Sequence, residues 1–270
     1  MTKTACVFPG QGSQSVGMLK ELAADYPVVE ATFKEASEVL GYDLWKLVQN
    51  DADGQLNETH ITQPALLTAS VATWRVIREQ GLNVDYLAGH SLGEFTALVC
   101  AGAMEFADAV KLVRSRGQFM QTAVPVGEGA MAAIIGLDDE VINQICDDAS
   151  QGECVQAVNY NSPGQVVIAG KAAAVERAID KLKEAGAKRA MPLPVSAPFH
   201  TDLMKPAGEK LAIELESIQI KAPNIPVVHN VHAQAENDPE KIRELLVQQI
   251  YSPVRWVSCV QAMVEAGVET

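Results

Sequence analysis

A serine lies at the centre of the pattern Gly-His-Ser-Leu-Gly, at residues 89–93. The apolar run over residues 84–88 predicts a strand before it, and residues 95–101 predict the start of a helix after it. Glycines two positions on either side of Ser91 let strand and helix approach closely in a sharp turn. Such a turn holds the hydroxyl at a helix N-terminus, where the backbone N–H of Leu92 can face an oxyanion. The pattern therefore predicts a nucleophilic serine; an ordinary Gly- and Ser-containing loop is the alternative.

A second glycine-containing loop follows the apolar run over residues 4–8, which predicts another buried strand. Gln11 lies between Gly10 and Gly12, so the backbone there can approach a ligand closely. Acyl-transfer sites use two N–H donors for the oxyanion, and the second commonly comes from a loop after another strand. The backbone of Gln11 is therefore a candidate donor. The alternative is a simple strand-to-helix turn capped by Ser13.

Two further side chains have chemistry that would complement a nucleophilic serine. In the helix predicted over residues 105–123, Arg116 falls on the apolar stripe. An inward guanidinium needs an anionic partner, which is either a pocket carboxylate or an internal Asp or Glu in a structural salt bridge. His200 is predicted at a loop edge just before a helix that ends near Ser217. Its imidazole can serve as a base, or it can be a cap or packing residue.

The composition restricts the function classes. The chain has 270 residues, of which 48% are hydrophobic and 20% charged, as in globular proteins. The formal net charge of -13 disfavours nucleic acid and anionic membranes as partners. No apolar run approaches bilayer length, so we expect a cytoplasmic protein. The five scattered cysteines are expected to be reduced, and His229 and His232 lack a second ligand pair, so no metal site is expected.

The elements that must position these residues indicate two domains. Strand and helix alternate along the first part of the chain, which favours a mostly parallel sheet covered by helices. Residues 129–194 instead predict the order βαββαβ, the split βαβ of a ferredoxin-like module, with a turn at residues 161–164. The predicted fold class is α/β. A large α/β-hydrolase-like domain spans residues 1–126 and 196–270, and a small inserted ferredoxin-like α+β subdomain spans residues 127–195.

Four segments resemble those of the malonyl-CoA:acyl carrier protein transacylase family, in the same order. They are FPGQGSQ at residues 8–14, GHSLGE at residues 89–94, RGQFMQ at residues 116–121 and SAPFH at residues 196–200. The resemblance runs from residue 3 to the end of the chain, and four ordered motifs are far more specific than one. Family members continue beyond residue 270 through a strand, a Gly-Pro-Gly turn and a closing helix. The resemblance therefore implies that the sheet of the large domain is incomplete in this chain.

The resemblance implies catalytic roles for the matching residues. Ser91 would be the nucleophile and His200 its general base and acid. The backbone amides of Gln11 and Leu92 would form the oxyanion hole. Arg116 would bind the free carboxylate of the malonyl group.

Further positions match residues that contact substrates in the family. In the substrate site, the main-chain carbonyl of Gln249 would orient the imidazole in place of an acid. His90 and Phe199 would line the pocket, and Phe199, typical of malonyl-selecting members, should crowd a branching methyl. Lys188 and Arg189 would dock the acidic carrier protein; a solvated strand end is the alternative reading of these two.

The implied activity is the transfer of a malonyl group from malonyl-CoA to the phosphopantetheine thiol of acyl carrier protein. It would proceed by a ping-pong mechanism through a malonyl-serine ester, without a metal or other cofactor. We expect an enzyme of bacterial fatty-acid synthesis; a carrier protein of a polyketide pathway is the alternative. Two other functions stay open on the residues alone: a serine thioesterase or hydrolase that releases the acyl group to water, and a non-catalytic acyl-binding subunit.

Overall fold

The structure, a computed structural model, describes residues 2–195 and 197–270, in which the strands form two separate sheets. The strands are β1 (Ala5–Phe8), β2 (Tyr86–Gly89), β3 (Gly129–Ile135), β4 (Val155–Ser162), β5 (Gln165–Lys171), β6 (Arg189–Pro192) and β7 (Val227–Val228). The helices are α1 (Lys20–Asp25), α2 (Val28–Leu40), α3 (Leu44–Asn50), α4 (Thr59–Glu79), α5 (Leu92–Cys100), α6 (Phe106–Thr122), α7 (Asp139–Ser150), α8 (Ala172–Glu184), α9 (Lys205–Glu216), α10 (Pro239–Gln249) and α11 (Trp256–Glu265). Short 3-10 helices span Gln55–Asn57 and Asp202–Met204.

The first sheet is parallel and brings three loops to one edge. β2 lies between β1 and β7, and Phe8 at the end of β1 is paired with Gly89 at the end of β2. Because the three strands run in the same direction, the loops that follow them leave from the same edge, where open parallel sheets bind ligands. These loops carry Gln11, Ser91 and Asn230.

The turn from β2 into α5 depends on its glycines. A Cβ atom on Gly89 would lie 1.8 Å from the carbonyl carbon of Gly93, and one on Gly93 would lie 2.3 Å from the carbonyl oxygen of Phe8. Neither position can hold a side chain without moving backbone, so strand and helix meet at the separation that only glycine permits. The sequence predicts this strand at residues 84–88 and the helix from Phe95; the strand ends one residue later and the helix begins three residues earlier.

The second sheet is antiparallel and has the order β4-β5-β3-β6. α7 and α8 pack on one face of it, and the apolar side chains of that face form a core cluster of their own. Side chains of the opposite face belong to the larger cluster around the first sheet: Met131, Val158, Val167 and Ala169. Backbone hydrogen bonds connect the two parts, because Val254 donates to Val158 and accepts from Tyr160. These bonds hold the second sheet beside the edge of the first sheet from which the loops after β1, β2 and β7 leave.

Several element bounds differ from the sequence prediction. The helical pattern of residues 15–25 predicts a helix there, but α1 begins only at Lys20, after Leu19 adopts a left-handed conformation. The short helix α3, which Asp43 caps through its side chain, escapes the prediction because only seven residues form it. The turn predicted at residues 161–164 is also too long, since β4 continues to Ser162.

The position of Pro64 is a further correction. The segment Thr62-Gln63-Pro64 opens a helical pattern that runs to Gly81, which predicts the proline near the first helical position. In the structure α4 begins at Thr59 and Pro64 lies inside it. Residues 61–69 of α4 are all buried. Tertiary packing therefore outweighs the one backbone hydrogen bond that proline cannot make. Within the described ranges, every helix is too short or too polar to cross a membrane.

Candidate active site

Ser91 occupies the turn between β2 and α5 in a strained conformation. Its φ of 51° and ψ of -104° are unfavourable for a residue with a side chain. Its hydroxyl lies before the first turn of α5, where N–H groups such as that of Leu92 have no acceptor within the helix. The strain and the free donors together are what a nucleophile elbow requires.

A chain of two hydrogen bonds links Ser91 to the end of α10. The Ser91 Oγ atom lies 2.8 Å from His200 Nε2, and His200 Nδ1 lies 2.8 Å from the main-chain oxygen of Gln249. A carbonyl oxygen can only accept, so Nδ1 carries the proton and donates. Nε2 is therefore the acceptor for the Ser91 hydroxyl. This tautomer is the one that can remove a proton from the serine.

The imidazole of His200 is more enclosed than its predicted loop-edge position suggests. Its backbone does lie in a turn, with φ of 64°, but the residue is only 4% exposed. Burial, and after it the positive charge of Arg116, lower the pKa of His200 to about 3, against the opposing effect of the Gln249 carbonyl. At neutral pH the ring is uncharged.

Arg116 projects from α6 into the same site and is 1% exposed. Its Nη2 atom donates to Ser91 Oγ at 3.1 Å and to Gln249 Oε1 at 2.7 Å, while Nη1 donates to Gln63 Oε1 at 2.8 Å. The guanidinium also lies 5.1 Å from the ring centroid of Phe95. Only neutral oxygens meet this cation, so the structural salt bridge that the sequence left open is not found among the described residues.

The Arg116 side chain retains capacity to bind an anion. Its buried Nε atom has no hydrogen-bond partner among the described residues. Burial lowers the pKa of Arg116 to about 10, and the negative charge of Glu94 opposes that shift. The group is therefore a desolvated cation at neutral pH, and a ligand carboxylate would supply the direct charge partner that it lacks.

The remaining site residues surround one cavity. It is lined by Gln11, Gln63, His90, Ser91, Leu92, Arg116, Met120, Met131, Asn159, Leu193, Val195, Phe199 and His200. Met131, Asn159 and Leu193 come from the part of the chain that contains the second sheet, so both parts of the fold contribute walls. The cavity brings together seven of the sequence candidates, and an eighth, Gln249, hydrogen-bonds to Arg116 and His200. The exposed pair Lys188 and Arg189 lies outside the lining, at the N-terminal end of β6.

His90 connects the two walls of the cavity. Its Nε2 atom lies 2.8 Å from Asn161 Oδ1 at the end of β4, and its ring lies 5.8 Å from that of Trp256. Burial lowers the pKa of His90, and the hydrogen bond to Asn161 opposes this shift. A neutral ring that donates to Asn161 therefore holds the second sheet against the elbow.

The sequence did not indicate the side chains that hydrogen-bond to the backbone of Ser91. Asn230 Oδ1 accepts from the backbone N–H of Ser91 at 2.7 Å, and Gln249 Nε2 donates to the Ser91 carbonyl at 3.0 Å. Glu94, which is fully buried, accepts from both Asn230 and Gln249. Glu94 is part of the elbow motif, but no spacing in the sequence relates it to residues more than a hundred positions away. The SAPFH motif begins at Ser196, which lies outside the described residues.

Comparisons with known proteins show which family the chain resembles. The profile of the acyl transferase domain family matches residues 5–270. The malonyl CoA-acyl carrier protein transacylase of Salmonella typhimurium is 60% identical over 270 residues, which make up 100% of this chain and 87% of that protein. The crystal structure of an acyl carrier protein S-malonyltransferase from Vibrio cholerae has a TM-score of 0.97 and 62% identity, covering 99% of this chain and 88% of that chain. A malonyl-transacylase solved in complex with its type II PKS acyl-carrier protein has a TM-score of 0.97 and 57% identity, covering 99% and 87%.

The α/β fold and the profile match define a protein of the acyl transferase class. At the identities found over the full chain, the relatives specify more. The chain belongs to the family of malonyl CoA-acyl carrier protein transacylases.

The pKa of His200 predicts an unusual pH profile. We expect the second-order rate constant for acylation by malonyl-CoA to show no acid limb near pH 6.5, the ordinary value for histidine. The reason is that a ring with a pKa of about 3 stays unprotonated and able to act as a base. Single-turnover acylation at subsaturating malonyl-CoA, followed by mass spectrometry from pH 8 to about pH 5, provides the measurement.

Protein stability must be followed in parallel, because the same shift acts on folding. Below about pH 6.5 the unfolded chain takes up a proton that folded His200 excludes, so this residue destabilises the fold as the pH falls towards 3. Circular dichroism at each pH separates unfolding from a catalytic limb. A limb centred near pH 6.5 in fully folded protein would contradict the neutral, buried base.

Proposed function

We propose that this protein transfers malonyl groups from malonyl-CoA to the phosphopantetheine thiol of an acyl carrier protein through an ester on Ser91. The observation that carries the proposal is the hydrogen-bond chain from Ser91 to His200 and Gln249, beside a buried Arg116 with no carboxylate partner. The names of the relatives and the solved complex of a related malonyl-transacylase with its carrier support the substrate and the partner.

The first half-reaction forms the acyl-serine. His200 Nε2 takes the hydroxyl proton as Ser91 Oγ attacks the malonyl thioester carbonyl. The backbone N–H groups of Gln11 and Leu92 stabilise the oxyanion of the tetrahedral intermediate, each contributing on the order of 3 kcal/mol. The intermediate collapses, the C–S bond breaks, and the imidazolium returns its proton to the departing thiolate of coenzyme A.

The second half-reaction repeats these steps with another thiol. The carrier's phosphopantetheine thiol gives its proton to His200 and attacks the ester carbonyl of malonyl-Ser91. The C–O bond then breaks, and the proton passes from His200 to Ser91 Oγ, which restores the free enzyme. No metal or redox cofactor is needed to balance either step.

The free carboxylate of the malonyl group has two effects in this site. It supplies the charge partner that Arg116 lacks, and an acetyl group would leave the guanidinium unpaired at a cost of a few kcal/mol. It also neutralises a positive charge that lowers the pKa of His200. The correct substrate therefore makes the catalytic base more basic as it binds.

Several finer features of the protein belong to the same proposal. We divide the chain into a large α/β-hydrolase-like domain, residues 1–126 and 196–270, and a small ferredoxin-like subdomain, residues 127–195. The two core clusters and the strand order of the second sheet support this division. Five free cysteines suit a reducing compartment, which supports a cytoplasmic location.

The decisive experiment is intact-protein mass spectrometry. Wild-type protein incubated with malonyl-CoA should gain one malonyl group, and Ser91→Ala should gain none because the nucleophile is missing. Addition of phosphopantetheinylated carrier should remove the group and leave malonyl-carrier as the product. Loss of the group to water at the same rate without carrier would instead show a hydrolase, and the absence of any adduct on the wild type would exclude a covalent mechanism.

Substitution of Arg116 tests the acyl specificity. Arg116→Ala should lower the second-order acylation rate constant with malonyl-CoA by on the order of 100-fold, because the carboxylate loses its buried partner. The rate with acetyl-CoA should fall much less, because that substrate loses only the hydrogen bonds from Arg116 to Ser91 and Gln249 and has no carboxylate to leave unpaired. The preference for malonyl should therefore shrink. Arg114→Ala is the matched control, since this exposed arginine lies on the same helix.

Equal losses with malonyl-CoA and acetyl-CoA would contradict this role for Arg116. The same assay extends to Phe199, which lines the cavity beside His200. A branching methyl would press on its ring, so methylmalonyl-CoA should react more slowly, although a methyl discriminates by only about 1–3 kcal/mol.

We further propose that Lys188 and Arg189 dock the acidic carrier protein. Both side chains are exposed, on a protein whose overall charge of -13 would otherwise repel such a partner. β6 leads from Arg189 towards Leu193 in the cavity wall, over about 13 Å at the usual rise of a strand. A carrier bound at this end can extend its flexible phosphopantetheine arm into the cavity.

Charge reversal tests this docking site. Lys188→Glu with Arg189→Glu should raise the Michaelis constant for carrier at least tenfold and leave that for malonyl-CoA unchanged, because only the protein partner meets these charges. Lys20→Glu with Lys34→Glu, exposed on α1 and α2, makes the same change in net charge. Steady-state kinetics with each substrate varied gives both constants. If the two pairs have the same effect, net charge explains it and this docking site is wrong.

A further inference from the structure

The strained serine is held at both sides of its backbone by side chains from distant segments. Its N–H donates to Asn230 Oδ1 at 2.7 Å, and its C=O accepts from Gln249 Nε2 at 3.0 Å. Asn230 also donates through Nδ2 to the carbonyl of Gly89, the last residue of β2 and the first of the Gly-His-Ser turn. A backbone φ of 51° persists in a serine only where surrounding groups hold it. The side chains of Asn230 and Gln249 hold the Ser91 backbone in this way.

The direction of the Gln249 amide is fixed by what surrounds it. Its Oε1 atom accepts from the cationic Arg116, and its Nε2 atom donates to the Ser91 carbonyl and to Glu94 Oε2, both at distances of 3.0 Å or less. A rotated amide would place its oxygen against two acceptors and its NH₂ group against a guanidinium. Gln249 thus joins the elbow, Arg116 and, through its main-chain oxygen, His200.

Asn230 and Gln249, the two residues that hold the Ser91 backbone, both donate hydrogen bonds to Glu94. Its Oε2 atom accepts from the backbone N–H of Asn230 at 2.9 Å and from Gln249 Nε2 at 3.0 Å. Its Oε1 atom accepts from His229 Nδ1 at 2.7 Å. Glu94 and His229 are both 0% exposed, so a carboxylate has been desolvated completely to occupy this position. A desolvated charge is costly unless it is well bonded, and these three donors supply its bonds.

We propose that Glu94 is a positioning residue for the acyl transfer, which rests on the function proposed above. Its Oε2 atom holds Asn230 and the Gln249 amide in the places from which they bind the two sides of the Ser91 backbone. Without this acceptor the Gln249 amide can rotate, and the Ser91 hydroxyl is no longer held in line with His200 Nε2. Glu94 touches neither substrate nor the reacting atoms, so its effect passes through the geometry of the nucleophile.

The test measures rate and active fraction separately. Acylation of Ser91 by malonyl-CoA is followed in a single turnover by rapid quench and intact-protein mass spectrometry. Glu94→Ala should lower the rate constant at saturating malonyl-CoA by about 10- to 100-fold, the loss expected when a reacting group is misplaced. The final extent of acylation should stay complete. Partial unfolding would instead lower the extent and leave the rate constant unchanged.

Two further variants separate position from charge. In Glu94→Gln the amide oxygen can occupy the place of Oε2 and accept from the same two donors, so the rate should stay close to that of the wild type. Glu94→Asp keeps the charge but withdraws both oxygens by one methylene, and it should be slow. Thr96→Val is the matched control, because it removes a buried hydroxyl without a partner from the same helix. It should react at the wild-type rate.

Each outcome decides for or against the proposal. It is overturned by Glu94→Ala at the wild-type rate, by Glu94→Gln as slow as Glu94→Ala, or by an equal loss in Thr96→Val. If Glu94→Ala does not fold, a fast Gln variant with a slow Asp variant supports the proposal, and any other combination overturns it. Failure of the proposed function is distinguishable, because the wild type itself would then form no malonyl adduct.

Discussion

A buried guanidinium without a carboxylate partner is the constraint on which the site depends. Arg116 is 1% exposed, and it donates to two amide oxygens and the serine hydroxyl instead of to an anion. Neutral acceptors compensate a desolvated cation only in part. An anionic group that enters the cavity would therefore be stabilised beside Arg116. α4, α5, α6 and α10 must pack closely enough to exclude water from this group, and in doing so they also enclose Ser91 and His200.

The local features of this site could be read from the sequence because short motifs encode them. The glycines around Ser91 are required by close approach of backbone, and the inward direction of Arg116 follows from helical periodicity. The order of elements in the second sheet likewise follows from runs of alternating and periodic residues. In each case the residues that form the pattern lie within about twenty positions of one another, which is the range that such patterns report. This holds even where the contact is distant, as between Gly93 and Phe8.

What the sequence could not show are contacts between segments that meet only in the folded chain. The hydrogen bond that Ser91 donates to Asn230 and the one that it accepts from Gln249 span 139 and 158 positions. The sequence does not distinguish a buried glutamine or asparagine from an exposed one, because the burial of these side chains is decided by the fold. The unexpected start of α4 has the same origin, since packing against neighbouring helices keeps Pro64 inside a helix that its local preference would end.

The placement of negative charge in the site follows from the acidity of the proposed substrate. An aspartate that oriented His200 would lie close to the cavity and would repel a malonyl carboxylate, whereas the Gln249 carbonyl orients the ring without a formal charge. The side-chain amide of Gln249 lies between the buried carboxylate of Glu94 and Arg116, because it accepts from the arginine and donates to the glutamate. A direct Glu94–Arg116 pair would satisfy the guanidinium permanently and leave nothing for a substrate to gain. With the amide between them, the glutamate stabilises the cation at a distance, and in the proposed reaction the direct contact is left to the malonyl carboxylate.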